Sequence, residues 1–181
     1  MRKEEIENRA QEALKKYKAE NPDEKNPGID VVIMARNEGF HVVEAQFKDE
    51  TDGIILVDTH AEQLLGKKTN KLIIVSKDRT RAFKRFIIAH ELGHYFMNQR
   101  EMDDGRILVA ARDAKHGRSK AEDEFDYFAA CILMPKDSFA QIAFGMKEVG
   151  MDMNTISEYL ADTFVVPVES AERRLKEVGV F

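Results

Sequence analysis

The feature that most constrains this chain is the stretch at residues 83–99, FKRFIIAHELGHYFMNQ, which carries His90, Glu91 and His94 in the pattern His-Glu-x-x-His. On a helix, residues four apart lie on one face. His90 and His94 then aim both imidazoles at one point, and Glu91 stands a step round the helix beside them. Two imidazoles with a neighbouring carboxylate suit metal-assisted hydrolysis, in which the His pair binds zinc and the Glu acts as general base. Structural His can share that spacing, so the surroundings decide. Phe83, Phe86, Ile87, Leu92, Tyr95 and Phe96 give the stretch apolar faces, and no Pro interrupts it. Gly93 is its weak point, since Gly in a helix costs roughly 1 kcal/mol relative to Ala. The missing side chain lets another backbone approach between the two His, which predicts a buried helix. Asp78 or Thr80 can cap its start, and it ends near Asn98.

Ahead of the motif, Ile6, Ala10, Ala13, Leu14 and Tyr17 recur at helical spacing over residues 2–20, and Asn21-Pro22 stops that helix. Residues 22–28, PDEKNPG, read as a loop, followed by a short helix over 29–37 with Gly39 as its C-cap. Three β-branched runs come next, FHVVEAQF at 40–47, GIILVD at 53–58 and KLIIVS at 71–76, predicting three short strands. A helical turn over 61–65 fits the last connection. After the motif, a strand over 107–111 is one option in a polar stretch. Helices are predicted over 121–133, where Pro135 stops the run, and over 137–149, 154–163 and 168–177. Helices, a small three-stranded sheet, then helices describe an α+β domain. Residues 1–136 form the core with its N-terminal helices, and residues 137–181 form a helical subregion packed on it, within one domain overall.

Composition sets limits on function. At 181 residues with 43% hydrophobic and 34% charged residues, the chain suits one globular core. A net charge of −5 gives no broadly basic surface, so no direct nucleic-acid contact is expected. The first nine residues lack an apolar segment, which argues against a signal peptide, and no run approaches the roughly 20 apolar residues that span a membrane. Cys131 is the single cysteine, which excludes an internal disulfide and fits a reducing compartment, so the expected location is cytoplasmic.

A catalytic zinc takes three protein ligands and leaves one position for water. Residues 121–135, AEDEFDYFAACILMP, offer Glu122, Asp123, Glu124 and Asp126 downstream of the His pair. Glu122 and Asp126 are four apart. Glu122 can ligate while Asp126 accepts a hydrogen bond from a ligand imidazole and fixes its tautomer. Ala129 and Ala130 permit close helix approach. Glu124 points about 200° away from Glu122 on a helical wheel, so at most one of the two is the ligand. Spacing alone leaves both open, along with the plainer reading of an acidic helix N-terminus.

The segment RFIIAHELGHYF resembles the core of the ImmA/IrrE family of bacterial metallo-endopeptidases. That family pairs its His-Glu-x-x-His helix with a downstream Glu-x-x-Ala-(Asn/Asp)-x-Phe-Ala-Ala, then apolar residues and Met-Pro. Here Glu122, Asp126, Phe128, Ala129, Ala130 and Leu133-Met134-Pro135 stand in that register, and Phe125 departs from it. The C-terminal run YLADTFVVPVESAERRLKEVG is also similar to the family's final helices, so the resemblance covers residues 28–181. It implies a zincin-like fold and a cytoplasmic zinc endopeptidase of the gluzincin type, often encoded by mobile elements or stress-response loci. It further implies one zinc per chain on His90, His94 and Glu122, with Glu91 as catalytic base. The protein substrate it implies is a helix-turn-helix repressor whose cleavage derepresses genes, a role in transcription regulation.

Two other readings compete. One is a zinc-binding sensor that binds a transcriptional regulator without cutting it, against which the intact Glu91 argues. The other is a DNA-binding helix-turn-helix over residues 154–175. A recognition helix contacts bases through its N-terminal residues, and that end here carries Glu169 and Glu172. A packed helical hairpin fits better. For the oxyanion, Tyr95, Tyr127, His116, Arg112 and His60 are the available donor types, without a choice among them. A strand near the motif, 71–76 or a neighbour, can hold extended substrate by edge pairing. The stretch over 101–120, with the basic residues Arg106, Arg112, Lys115 and Arg118, reads equally as a loop that borders the cleft and gates or selects substrate and as a solvated surface loop without such a role.

Overall fold

The β-branched middle of the chain builds the sheet on which everything else rests. In the computed structural model, residues 1–23, 27–58, 60–98 and 120–181 are described, together with the backbone of 108–113. The three expected strands are β1 (His41–Ala45), β2 (Thr51–Val57) and β3 (Lys71–Ser76). A fourth, β4 (Leu108–Asp113), joins them from the stretch where a strand was one option. The order is β1-β3-β2-β4, with β1 parallel to β3 and β2 antiparallel to both β3 and β4. KLIIVS at 71–76 is therefore an interior strand with no free edge; the edges belong to β1 and β4. Its near-continuous apolar run is what burial on both faces requires.

The helices are α1 (Lys3–Glu20), α2 (Val31–Asn37), α3 (His60–Leu65), α4 (Arg81–Met97), α5 (Lys120–Leu133), α6 (Lys136–Glu148), α7 (Met153–Phe164) and α8 (Val168–Glu177). The class is α+β, a small sheet with a mainly helical remainder. No helix among the described residues is long and apolar enough to cross a membrane.

One face of the sheet, through Ile55, Ile73 and Val75, packs into the main core with Ile87, Leu92, Phe128 and Phe139. The other face carries a smaller cluster, Leu56, Leu72 and Ala61. The motif helix α4 lies across the first face, and α5 packs against α4. Arg9 of α1 donates to the carbonyls of Phe96 and Met97 at 3.2 and 2.8 Å, satisfying acceptors that the end of α4 leaves open.

A buried charge cluster ties the last helix to the first. Arg174 of α8 is 1% exposed; its Nη2 donates to Glu7 Oε1 at 3.0 Å and its Nε to the Met134 carbonyl at 3.3 Å. Tyr127 Oη donates to the other Glu7 oxygen at 3.3 Å. Arg174 thus faces inward, unlike a residue of a DNA-reading helix. Between α7 and α8, Val165 adopts φ 51° and ψ 60°, a left-handed conformation that β-branched residues rarely enter. Its carbonyl accepts from Arg85 Nε of α4 at 3.2 Å.

Candidate metal centre

Local sequence places α4 accurately. Thr80 caps it, the hydroxyl accepting from the Phe83 N–H at 3.3 Å. The helix then carries His90, Glu91 and His94 through its buried middle, at 1%, 0% and 7% exposure. Two glycines make that burial possible. A Cβ on Gly93 would stand 3.4 Å from the Phe125 carbonyl oxygen and 3.5 Å from its Cα, so α5 comes close against α4 between the two His. A Cβ on Gly53 of β2 would stand 2.9 Å from Glu91 Oε1 and 2.4 Å from Ile87 Cγ2. β2 therefore passes directly against the Glu91 carboxylate.

The two imidazole rings lie 5.1 Å apart. From α5, the Glu122 carboxylate reaches both, at 3.0 Å from His90 Nε2 and 3.9 Å from His94 Nε2. Asp126, one turn on, lies 2.8 Å from His90 Nδ1. A carboxylate can only accept, so Nδ1 of His90 carries the proton and donates it to Asp126. Its Nε2 lies 3.0 Å from the carboxylate of Glu122, a contact that calls for a second proton, on the ring or the carboxyl, or for a cation between the groups.

A metal ion satisfies that requirement. One ligand atom from each of His90, His94 and Glu122 lies within 4.8 Å of the others. Donors bonded to one zinc at about 2.0–2.2 Å sit roughly 3–4 Å apart in a tetrahedron, so small side-chain adjustments suffice. Two imidazoles and one carboxylate are also ligand types zinc accepts. The His90 hydrogen bond, the largest influence, holds the Glu122 carboxyl below the usual range, against a smaller opposing effect of burial. The carboxylate form is the one a metal needs.

Glu124, the alternative third ligand, is not in this group; its carboxylate pairs with the N-terminal ammonium of Met1. Three of the oxyanion donor types, Tyr95, Tyr127 and His60, make other contacts. Tyr95 Oη accepts from Lys71 Nζ at 2.9 Å, Tyr127 bonds Glu7, and His60 pairs with Asp58. The side chain of Arg112, and His116 with most of the basic stretch before Glu122, lie outside the described residues. Sequence reasoning passed over two residues of the site. Phe125, where the chain departs from the family pattern, stacks on His94 with centroids 3.8 Å apart and ring planes at 37°. Gly53 was legible as a glycine opening an apolar run, a signal of close approach by another segment.

The family model described as Peptidase M78, IrrE N-terminal-like domain, matches residues 35–176. A comparison with curated proteins gave no match. Among solved structures, a Mycobacterium tuberculosis transcriptional regulator is similar with a TM-score of 0.52 over 97% of this chain, at 15% identity. That likeness is one of fold. This chain spans 52% of that one, about half its length.

Proposed function

The chain belongs to the IrrE N-terminal-like family of peptidase domains, and from that premise we propose that it is a zinc endopeptidase acting in the cytoplasm on a protein substrate. What supports this reading is the convergence of His90 Nε2 and His94 Nε2 on the Glu122 carboxylate, with Glu91 beside them. His90, His94 and Glu122 would hold one zinc per chain. When bound, zinc supplies Lewis acidity, polarising the scissile carbonyl and making water a nucleophile near neutral pH. Asp126 keeps the proton of His90 on Nδ1, so that Nε2 is the ring atom that would ligate the metal. Phe125 and His94 stack, limiting the angles the second imidazole can take. Glu91, pressed against β2 at Gly53, accepts a proton from the attacking water and delivers it to the leaving amine.

The substrate proposed is a helix-turn-helix repressor, whose cleavage would derepress the genes it controls. The test is to induce the wild-type protein or its Glu91→Gln variant in cells and map newly formed protein N-termini by mass spectrometry. A cut in a helix-turn-helix protein, present with wild type and absent with Glu91→Gln, is the expected result. Loss of repression by both proteins without any cut would favour the binding sensor instead.

A further inference from the structure

Along α5 beyond Glu122, by about 13 Å of helix, Cys131 lines a groove separate from the metal centre. The groove encloses about 560 Å³ between α1 and the start of α6. From α1 come Glu7, Ala10, Gln11, Leu14, Lys15 and Lys18, a spacing that keeps one stripe of the helix on the groove. From Glu7 to Lys18 that stripe rises about 16 Å. The volume spread over this length leaves a cross-section of about 35 Å², roughly 6 Å across. A helix with its side chains is about 10–12 Å wide, so the groove is too narrow to seat one. It suits an alkyl chain or a single ring, and its volume lies in the range of small-molecule pockets.

The floor of the groove is apolar and its mouth is cationic. Ala10, Leu14 and Cys131 are buried, and Pro135 lies beside them. Lys15, Lys18 and Lys136 are exposed, and among the described residues none of the three has an ion-pair partner. Of the lining carboxylates, Glu7 is held by the buried Arg174, which leaves Asp137 without a cation among the described residues. Three unpaired ammonium groups against one unpaired carboxylate give the mouth a positive excess, in a chain whose net charge is −5. Like charges around one groove repel, and an anion among them removes that repulsion. The first turn of α6 reinforces cations that belong largely to another helix. Pro135 offers no side-chain cap there, and the leading N–H groups of α6 lack intrahelical acceptors.

We propose that this groove is a binding site for a small amphiphilic anion, a carboxylate or phosphate head on an apolar body of alkyl-chain or single-ring width. Lys15, Lys18 and Lys136 take the head, and Ala10, Leu14 and Cys131 take the body. The site needs neither zinc nor the peptidase reading. Its floor includes the last turn of the helix that carries Glu122 and Asp126, so an occupant touches that helix directly.

The test titrates the full chain with octanoate, octyl phosphate, octylammonium and inorganic phosphate, by calorimetry and by NMR shifts at low salt. Octanoate or octyl phosphate is expected to bind about tenfold more tightly than octylammonium, and the tighter of the two identifies the head. Reversing Lys15, Lys18 and Lys136 together to Glu should weaken anion binding about tenfold. These side chains are exposed, so Tm should hold, as a melt on the same sample would read. Gln11→Trp, also at an exposed position, should cover the floor and weaken both eight-carbon anions. Three results would each overturn the site: equal binding of the anions and octylammonium, no binding of either anion up to about 10 mM, or binding that neither variant weakens. Inorganic phosphate binding as tightly as octyl phosphate would overturn it too, because the apolar floor would then contribute nothing.

Discussion

Gly53→Ala puts one methyl group on β2 where α4 leaves no room. An ideal Cβ there stands 2.4 Å from Ile87 Cγ2 and 2.9 Å from Glu91 Oε1. Gly53 is not among the residues of positive φ, so its backbone accepts Ala and the penalty is steric. Ile87 is fully buried and β-branched, which leaves it essentially one rotamer in a helix. β2 is equally fixed, since Gly53 pairs with Val75 of β3 on one side and with Arg112 of β4 on the other. Overpacking of this kind costs about 1–3 kcal/mol. Ala in place of Gly within a strand returns roughly 0.5–1 kcal/mol. The net loss, up to about 2.5 kcal/mol, corresponds to a fall in Tm of up to roughly 10 °C for a chain of this size. Glu91 Oε1 is the more movable of the two obstacles, so the carboxylate is displaced as well. Calorimetric melts, zinc content and peptide cleavage measured on one preparation check both consequences. Expected are a lower Tm, retained zinc, and a loss of cleavage beyond what the unfolded fraction explains. An unchanged or higher Tm with full cleavage would refute the close approach of β2 to Glu91.

Three further outcomes follow from the geometry. Glu122→Ala should strip zinc from the purified protein, whereas Glu124→Ala should leave it bound, as elemental analysis would read. The opposite pattern would reverse the ligand assignment. Arg174→Ala should destabilise by about 3–5 kcal/mol in denaturant titrations, because Glu7 and Glu177 lose a buried cation; adding Glu7→Gln should recover part of it. Burial pushes the Cys131 thiol up to about 12, so the folded state holds that proton more tightly than the unfolded chain, where it leaves near 8.5. The stability this thiol contributes is full below that value and declines by up to about 1.4 kcal/mol per pH unit as pH rises towards 12. Urea titrations of wild type and Cys131→Ala between pH 7 and 10 should show the wild type losing its relative stability above about pH 8.5.

The motif helix was legible in the sequence because its information is local. Its cap at Thr80, its apolar periodicity and its His pair four residues apart all lie within one stretch, and a helix converts that spacing into a shared face. The pairing of Glu122 with Asp126 was legible for the same reason. Choosing Glu122 over Glu124 was a different matter. Spacing says only that the two diverge; the rotation of α5 decides, set by burying Phe125, Phe128, Ala129 and Ile132 against its neighbours. β4 shows the same limit, for LVAARD is only weakly patterned as a strand, and it is the open edge of β2 that offers it partners. The use of Gly53 and the inward turn of Arg174 join residues far apart in sequence. Periodicity fixes which face of an element is apolar, but only packing against a particular neighbour fixes what that face meets, and with it the environment of Glu91.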